Sequence, residues 1–212
     1  MELEDILMNS NDKYELLGNL IPKGKITLLH GASGSGKTYS LLKFLNSNYI
    51  EPYFIDFDDN TIYKDKFKFI HIDGYKLVNH LFNKESINDL SNILRNKVVV
   101  IDTYALANNA IRAKKEEYNI DINYGVDNLC KTLQSFEVTV IILAHTKYYA
   151  GKQQEPDCSF VFANHVACRL HLVNIEKIDS RTKDKQIKRT SYLEIEKLRG
   201  YDGERIIKDW MR

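Results

Sequence analysis

The segment that most constrains the fold is an apolar run that ends in a glycine-rich loop, LLHGASGSGKT over residues 28–38. It satisfies the pattern G-x-x-x-x-G-K-[ST] with Gly31, Gly36, Lys37 and Thr38. The glycines of this pattern let the backbone curl until successive N–H groups point at an anion, and the next helix adds the partial positive charge of its N-terminus. The sequence therefore predicts a phosphate-binding loop between a strand and a helix.

The phosphate loop assigns a role to each of its residues. Lys37 is expected to reach the outer phosphates of ATP, and the Thr38 hydroxyl is expected to bind Mg²⁺. Asp102 ends the apolar run VVVID, and a carboxylate at the C-terminal end of a buried parallel strand lies where it supports the metal. Strand-ending aspartates also begin ordinary turns, so this assignment depends on the loop upstream. The expected nucleotide contacts are Gly31, Ser33, Gly34, Ser35, Gly36, Lys37 and Thr38.

Apolar runs alternate with helical patterns along the chain, which is typical of an α/β fold with a mainly parallel sheet covered by helices. The predicted strands are 25–30, 52–57, 67–72, 98–101 and 138–144, and the predicted helices are 37–46, 75–95 and 126–136. Residues 167–175, 190–198 and 204–209 follow as consecutive strands, which predicts an antiparallel extension. Residues 3–20 suit a short helix and a lead-in, and 104–122 is polar and irregular. We expect one domain over 1–212, with 1–20 as lead-in to a core at 21–212.

Composition excludes several classes of protein. The net charge is +1, so any attraction to nucleic acid has to come from a local basic surface. Cys130, Cys158 and Cys168 lack the spacing of a metal or redox motif, which favours reduced thiols in a cytoplasmic protein. The acidic start resembles no signal peptide, and no apolar run approaches the roughly 18 residues of a membrane span.

A phosphate loop does not define the reaction, so the group that activates water matters most. Hydrolysis needs a carboxylate that orients or deprotonates a water molecule, and Thr103 offers none directly after the metal aspartate. The best-placed acids are Asp56, Asp58 and Asp59, at the end of the second predicted strand. Asp58 and Asp59 also suit a simple turn.

Two further positions bear on the reaction. His145 directly follows the apolar strand VTVIILA, where it either senses the γ-phosphate or makes a structural hydrogen bond. Lys197 and Arg199 alternate on a late strand, so both cations lie on one face. They either reach the phosphate loop of a neighbouring chain, as an arginine finger in trans, or guard a solvated edge strand with charge.

These segments occur in a recognisable order: LIPKGKITLLHGASGSGKT, YFIDFDDN, VVVIDT, VIILAHTK and EIEKLRG. The set resembles the RecA-fold motor ATPases, in particular the RepA-like hexameric helicases of plasmids and phages and, more distantly, the DnaB family. The resemblance implies ATP and Mg²⁺ at Lys37 and Thr38, metal support from Asp102, a γ-phosphate sensor at His145 and a trans finger at Lys197 and Arg199. Asp58 falls where the family usually has a glutamate, one methylene longer.

In that family, the loops that follow the metal aspartate and the sensor grip single-stranded DNA in the channel of the ring. The corresponding stretches are 104–122 and 146–160, in which cations suit the phosphate backbone and aromatic rings suit stacked bases. The implied DNA contacts are Arg112, Lys114, Lys115, Lys147, Tyr148, Tyr149 and Lys152. The implied partners are single-stranded DNA, further copies of the chain in a hexameric ring or a filament, and replication proteins, without a membrane.

Three functions remain open at this stage. The first is a DNA-dependent ATPase motor, a ring helicase of phage or plasmid replication. The second is a recombination or strand-annealing ATPase, which shares every motif above. The third is a P-loop kinase for a small molecule or nucleotide, in which 104–122 would act as a lid; the strand that ends at His145 and the β-rich tail argue against it.

Overall fold

The computed structural model describes residues 14–59, 63–81, 84–117, 125–149, 152–178, 187–198 and 206–208. Its strands are β1 (Leu16–Leu17), β2 (Ile21–Pro22), β3 (Ile26–Gly31), β4 (Tyr53–Asp56), β5 (Ile70–Asp73), β6 (Val98–Asp102), β7 (Thr139–Tyr149), β8 (Lys152–Pro156), β9 (Cys168–Ile178), β10 (Ile187–Leu198) and β11 (Ile206–Lys208). Its helices are α1 (Lys37–Ser47), α2 (Gly74–Leu81), α3 (Lys84–Ile93), α4 (Tyr104–Glu117), α5 (Val126–Ser135) and α6 (Phe160–His165).

One large sheet organises the chain, in the order β11-β10-β9-β3-β7-β6-β4-β5, and β8 pairs with the extended end of β7. The neighbours from β9 to β5 are all parallel, whereas β10 and β11 run antiparallel. The α/β fold with an antiparallel C-terminal extension is thus confirmed. One detail differs, because β9 joins the parallel part directly beside β3. The helix α6 precedes β9 and supplies the crossover that a parallel neighbour needs.

The central strands are buried on both faces, as their apolar runs predict. Along β3, Leu28 packs into one apolar cluster and Leu29 into the other, since successive side chains alternate across a sheet. Residues of α4 and α5 cover the Leu28 face, and residues of α1 cover the Leu29 face. This helix–sheet–helix layering fixes the end of β3, and with it the phosphate loop.

The structure corrects two predictions of irregular chain. Residues 104–117 form α4, because Tyr104, Ala107 and Ile111 follow helical spacing and are buried against the sheet. The stretch after His145 is a β-hairpin, in which Thr146 pairs with Pro156, rather than an open loop.

Other boundaries also shift. The helix expected over 75–95 divides into α2 and α3, and the strand expected over 67–72 begins only at Ile70. The helix expected within 3–20 is absent from the described part of that stretch, where residues 14–20 form a strand and a turn. Among the described residues, no helix combines the length and apolarity that crossing a bilayer requires.

Candidate nucleotide-binding site

The phosphate loop lies between the end of β3 and the start of α1, and two of its glycines are required by geometry. Gly36 has φ +83°, a left-handed conformation that side chains rarely adopt, and α1 begins directly after it without a side-chain cap. At Gly31 an added Cβ would lie 2.7 Å from the carbonyl oxygen of Leu172 on β9. The loop therefore leaves the first N–H groups of α1 open to an anion.

Lys37 and Thr38 occupy the start of α1. The Lys37 side chain contacts the phosphate loop, and the Thr38 side chain contacts the end of β6. The Lys37 ammonium donates to the carbonyl oxygens of Gly31 at 3.1 Å and Ala32 at 2.9 Å. The Thr38 hydroxyl donates to the Asp102 carboxylate at 2.7 Å. This contact joins α1 to the end of β6, although β7 separates β3 from β6 in the sheet.

Burial disfavours the charged forms of Lys37 and Asp102. Desolvation lowers the pKa of Lys37, against the opposing attraction of Asp102 and Asp58. Desolvation also raises the pKa of Asp102 to about 6, and the Thr38 hydrogen bond only partly offsets it. A polyphosphate beside Lys37 and a divalent cation beside Asp102 would each favour the charged form.

Some polar atoms here have no protein partner within the described chain. The buried hydroxyl oxygens of Ser35 and Thr103 are of this kind. Buried polar groups are nearly always hydrogen-bonded, so such atoms next to a phosphate loop indicate a ligand. Phosphate oxygens for Lys37 and Ser35, and Mg²⁺ for Thr38 and Asp102, match the donors present.

The three candidate acids differ in their surroundings. Asp56 is buried and occupied, since it accepts a hydrogen bond from the Asp58 backbone N–H at 3.0 Å and pairs with His71 at 3.1 Å. Asp58 is exposed, and its charge raises the pKa values of Lys37, Asp102 and His145 together, although other effects are larger in each case. Its carboxylate is therefore near all three. Asp59 is exposed in a turn, at φ +52°. Of the three acids, Asp58 is thus the exposed one whose charge acts on all the other central residues of the site.

His145 lies on β7, between the strands of the phosphate loop and the metal aspartate. The Lys37 ammonium is 3.5 Å from its Nδ1. Desolvation, followed by the Lys37 charge, lowers the pKa of His145, so the ring is neutral at pH 7. The imidazole thus lies beside the lysine that the sequence predicts to contact the outer phosphates.

Lys197 lies toward the opposite end of the sheet from the phosphate loop. Its strand runs antiparallel to β9, where Lys197 pairs with Arg169 while Leu172 pairs with Gly31 on β3. The three-residue offset corresponds to about 10 Å along the strand. The Lys197 ammonium donates to the carbonyl oxygen of Asn164 in α6. Arg199, the other proposed finger residue, lies outside the described residues.

The predicted DNA contacts are spread over α4 and the hairpin. Arg112 is exposed on α4, with Lys114 and Lys115 half-buried in its last turn. Lys147 forms an ion pair with Asp157 at 2.6 Å. The side chains of Tyr148, Tyr149 and Lys152, and the residues 118–122 of the first stretch, lie outside the described part of the structure.

One contact to the phosphate loop was missed by the sequence. The Asn174 amide on β9 donates to the Ser35 carbonyl oxygen at 3.2 Å, and Ser191 on β10 donates to the Asn174 oxygen at 2.6 Å. No spacing rule signals this contact, because it depends on β9 lying parallel beside β3.

Comparison with known proteins supports the fold. No family model matches the chain, and no curated protein sequence matches it. The structure is similar to that of a KaiC-like protein from the hyperthermophilic archaeon Pyrococcus horikoshii, with a TM-score of 0.55 and 18% sequence identity over 87% of this chain and 84% of that chain. At this identity the likeness shows the fold alone. It confirms a RecA-like P-loop core and carries no information on helicase activity.

Proposed function

We propose that this chain binds Mg²⁺·ATP in its phosphate loop and hydrolyses it. The observation that carries the proposal is that Lys37, the hydrogen-bonded pair Thr38–Asp102 and the charge of Asp58 converge beside one loop. Lys37 would neutralise the outer phosphates, Thr38 and Asp102 would hold the metal, and Asp58 would orient the attacking water. Mg²⁺ supplies charge neutralisation between the phosphate oxygens when it is bound.

His145 completes this proposal as a reporter of the γ-phosphate. The ring lies 3.5 Å from the Lys37 ammonium, so it would hydrogen-bond to a γ-phosphate bound there and would lose this bond when the phosphate leaves. The next residue, Thr146, begins the pairing with β8, so a shift of His145 would move the hairpin. The first test is to incubate the purified chain with ATP and measure phosphate release. We expect release in the presence of Mg²⁺ and none in its absence.

We also propose that the active unit is an oligomer, with a hexameric ring as the expected form. In it, Arg199 and Lys197 of one chain complete the nucleotide site of the next chain. The support is positional, because Lys197 lies toward the sheet end away from its own phosphate loop. An arginine finger supplied in trans is typically worth about 10³–10⁵ in rate.

Mixing two inactive variants tests the trans finger. Arg199→Ala keeps its phosphate loop, and Lys37→Ala keeps its finger, so a mixed oligomer contains some interfaces with both groups intact. Partial ATPase activity should return on mixing. If the two variants co-assemble and the mixture stays inactive, or if Arg199→Ala alone keeps full activity, the finger is not supplied by Arg199.

Single-stranded DNA is the proposed partner, bound by α4 and the β7–β8 hairpin. Helix α4 follows Asp102 at the end of β6, the hairpin continues β7 beyond His145, and both elements carry cations. Replacing Lys147, Tyr148, Tyr149 and Lys152 with Ala should weaken DNA binding, flatten its salt dependence and leave DNA-free ATPase intact. Asp157→Asn is a control with the opposite expected effect. It removes the ion pair between Asp157 and Lys147 and should strengthen the binding of single-stranded DNA.

One set of assays separates the remaining functions. ATPase activity that rises with single-stranded DNA supports a DNA-dependent motor, whereas a kinase is indifferent to DNA and transfers phosphate to an acceptor. Strand separation of a forked duplex with ATP supports a helicase of phage or plasmid replication. Annealing of complementary strands without separation supports the recombination alternative.

A further inference from the structure

A second polar cluster lies at the end of β3, on the face of the sheet opposite α1. It consists of His30, His171, Glu196 and Arg169, and we refer to it as the histidine cluster. The rings of His30 and His171 stack with centroids 4.4 Å apart and 7° between their planes. His30 is 0% and His171 6% exposed, so both imidazoles are inside the protein. The nucleotide site uses none of these side chains.

Both imidazoles face the same carboxylate. His30 Nε2 lies 3.0 Å from one oxygen of Glu196, and His171 Nδ1 lies 3.7 Å from the other. Glu196 is placed this way by an irregularity in β10, where the pairing with β9 shifts between Ile195 and Lys197. The extra residue of a β-bulge is re-aimed relative to a regular strand.

These three residues are a familiar set of metal ligands. Two imidazoles and a carboxylate bind Zn²⁺ in many proteins, with bonds of about 2.0–2.2 Å, and tetrahedral geometry then separates the donor atoms by about 3.3 Å. The two imidazole distances to Glu196, 3.0 Å to one oxygen and 3.7 Å to the other, lie on either side of that value. The donor atoms of all three residues lie within 4.8 Å of one another, and the stacked rings have to turn out of their parallel arrangement before both nitrogens point at one ion.

One neighbouring side chain supports His30 as a ligand. Thr146 shares a hydrogen bond of 3.1 Å with His30 Nδ1. Its hydroxyl can accept as well as donate, so it supports the His30 tautomer that frees Nε2 for a metal.

Arg169 is the group that a metal would have to displace. Its Nε lies 2.6 Å from the same Glu196 oxygen that faces His30. The guanidinium therefore neutralises the carboxylate while no metal is bound. A divalent cation between Glu196 and the imidazoles would take over this role and repel Arg169.

We propose that His30, His171 and Glu196 form a binding site for a divalent transition-metal ion of the Zn²⁺ class, with Arg169 as its internal competitor. Three protein ligands leave a fourth position for water or for Glu194, whose carboxylate lies 3.9 Å from His171 Nδ1. The ion joins β3, β9 and β10 at the base of the phosphate loop. The site is independent of ATP hydrolysis and does not require the proposed function.

Equilibrium dialysis of the full chain against Zn²⁺ alone, without nucleotide or Mg²⁺, tests the proposal. One tightly bound Zn²⁺ per chain is expected, with a raised thermal midpoint. His171→Gln and Glu196→Gln should each weaken binding by at least about 100-fold. Arg169→Gln keeps every ligand and should tighten binding by about tenfold, because it removes a competing cation.

Three control variants locate the ion. His80→Gln removes an exposed histidine, Asp102→Asn removes the other candidate metal ligand, and Cys158→Ser removes a half-buried thiol, so each should keep the bound Zn²⁺. The proposal is overturned if the natural chain binds no Zn²⁺, if Glu196→Gln binds it normally, or if Arg169→Gln weakens binding. Should Glu196→Gln fail to fold by circular dichroism, His171→Gln and Arg169→Gln decide the outcome.

Discussion

The phosphate loop and the histidine cluster meet the same end of β3 from opposite faces of the sheet, and they differ in how their hydrogen bonds are completed. Beside the loop, the buried hydroxyls of Ser35 and Thr103 have no partner in the described chain. In the histidine cluster, both ring nitrogens of His30 are hydrogen-bonded, and Arg169 Nε, which makes no hydrogen bond within the described residues, forms an ion pair with Glu196 at 2.6 Å. Under the two proposals above, a polyphosphate would supply the missing partner in the first region, whereas a metal in the second would have to displace Arg169.

Removing the central cation of the first region should give the largest effect. Lys37→Ala deletes the charge that faces the outer phosphates, so ATP turnover should fall by at least about 10³-fold, more than one lost oxyanion donor costs. Steady-state phosphate release measures it. Urea unfolding should show little loss of stability, because burial opposes the charged form of Lys37. Turnover at the normal rate would remove the loop from the chemistry.

Asp58→Asn separates binding from chemistry within the same region. The exposed amide should leave ATP affinity intact and lower turnover by about 10²-fold, the low end for general acid–base catalysis. Asp59→Asn is the matched control and should turn over ATP normally. If Asp59→Asn loses activity and Asp58→Asn keeps it, the roles of the two residues are reversed.

The sequence was sufficient to predict which residues of the first region lie together, because they follow one another or lie at the same edge of neighbouring strands. Gly31 to Thr38 form a continuous motif, Asp102 ends β6, and His145 is the last residue of β7 that pairs with β3, so the common edge of the parallel strands brings them together. The pairing of Thr38 with Asp102 follows from that edge alone. The surroundings of Asp56, Asp58 and Asp59 do not follow from it, because the pairing of Asp56 with His71 depends on where β5 lies in the sheet.

The histidine cluster has no such local signal. His30, Glu196 and Arg169 are far apart in sequence and meet only because β9 lies parallel beside β3 and β10 is irregular at Glu196. The same non-local pairing explains the prediction of β9 as part of the antiparallel extension. Helix α4 is a different kind of error, since Ala107 and Ile111 already followed helical spacing and its polar surface concealed them.

Acid should weaken the second region before pH 4 is reached. Burial, together with the neighbouring His30, lowers the folded-state pKa of His171 to about 4 from its usual value of about 6.5, so between these values the unfolded chain binds more protons. Stability is therefore fully present above about pH 6.5 and is lost as the pH falls toward 4, by about 2 kcal/mol.

Urea unfolding at pH 7 and pH 4.5 measures this loss, and His171→Gln supplies the comparison. The variant lacks the titrating ring, so its stability should fall less between the two pH values than that of the natural chain. The charged and titratable groups near position 171 remain in the variant: His30, Glu194 and Glu196 face that position, and Arg169 pairs with Glu196. Parallel pH profiles would remove His171 from the acid response.

The smallest effect is expected where the phosphate loop is tied to β9 and β10, the strands that carry most of the histidine cluster. Asn174→Ala deletes the amide that donates to the Ser35 carbonyl oxygen, and a part-buried hydrogen bond between neutral groups is worth about 1 kcal/mol. Because the loop is held in its binding shape by this contact, the loss should appear in ATP affinity, as about a fivefold weaker Kd, and hardly in the free energy of unfolding. Ser191→Ala removes only the hydroxyl that holds the Asn174 amide, and it should weaken ATP affinity by a smaller factor.

Titration with a fluorescent ATP analogue measures the affinity, and urea unfolding measures the stability, so the two effects can be separated. If Asn174→Ala lowers stability while affinity is unchanged, the residue serves the edge of the sheet alone, and β9 does not position the phosphate loop through Asn174.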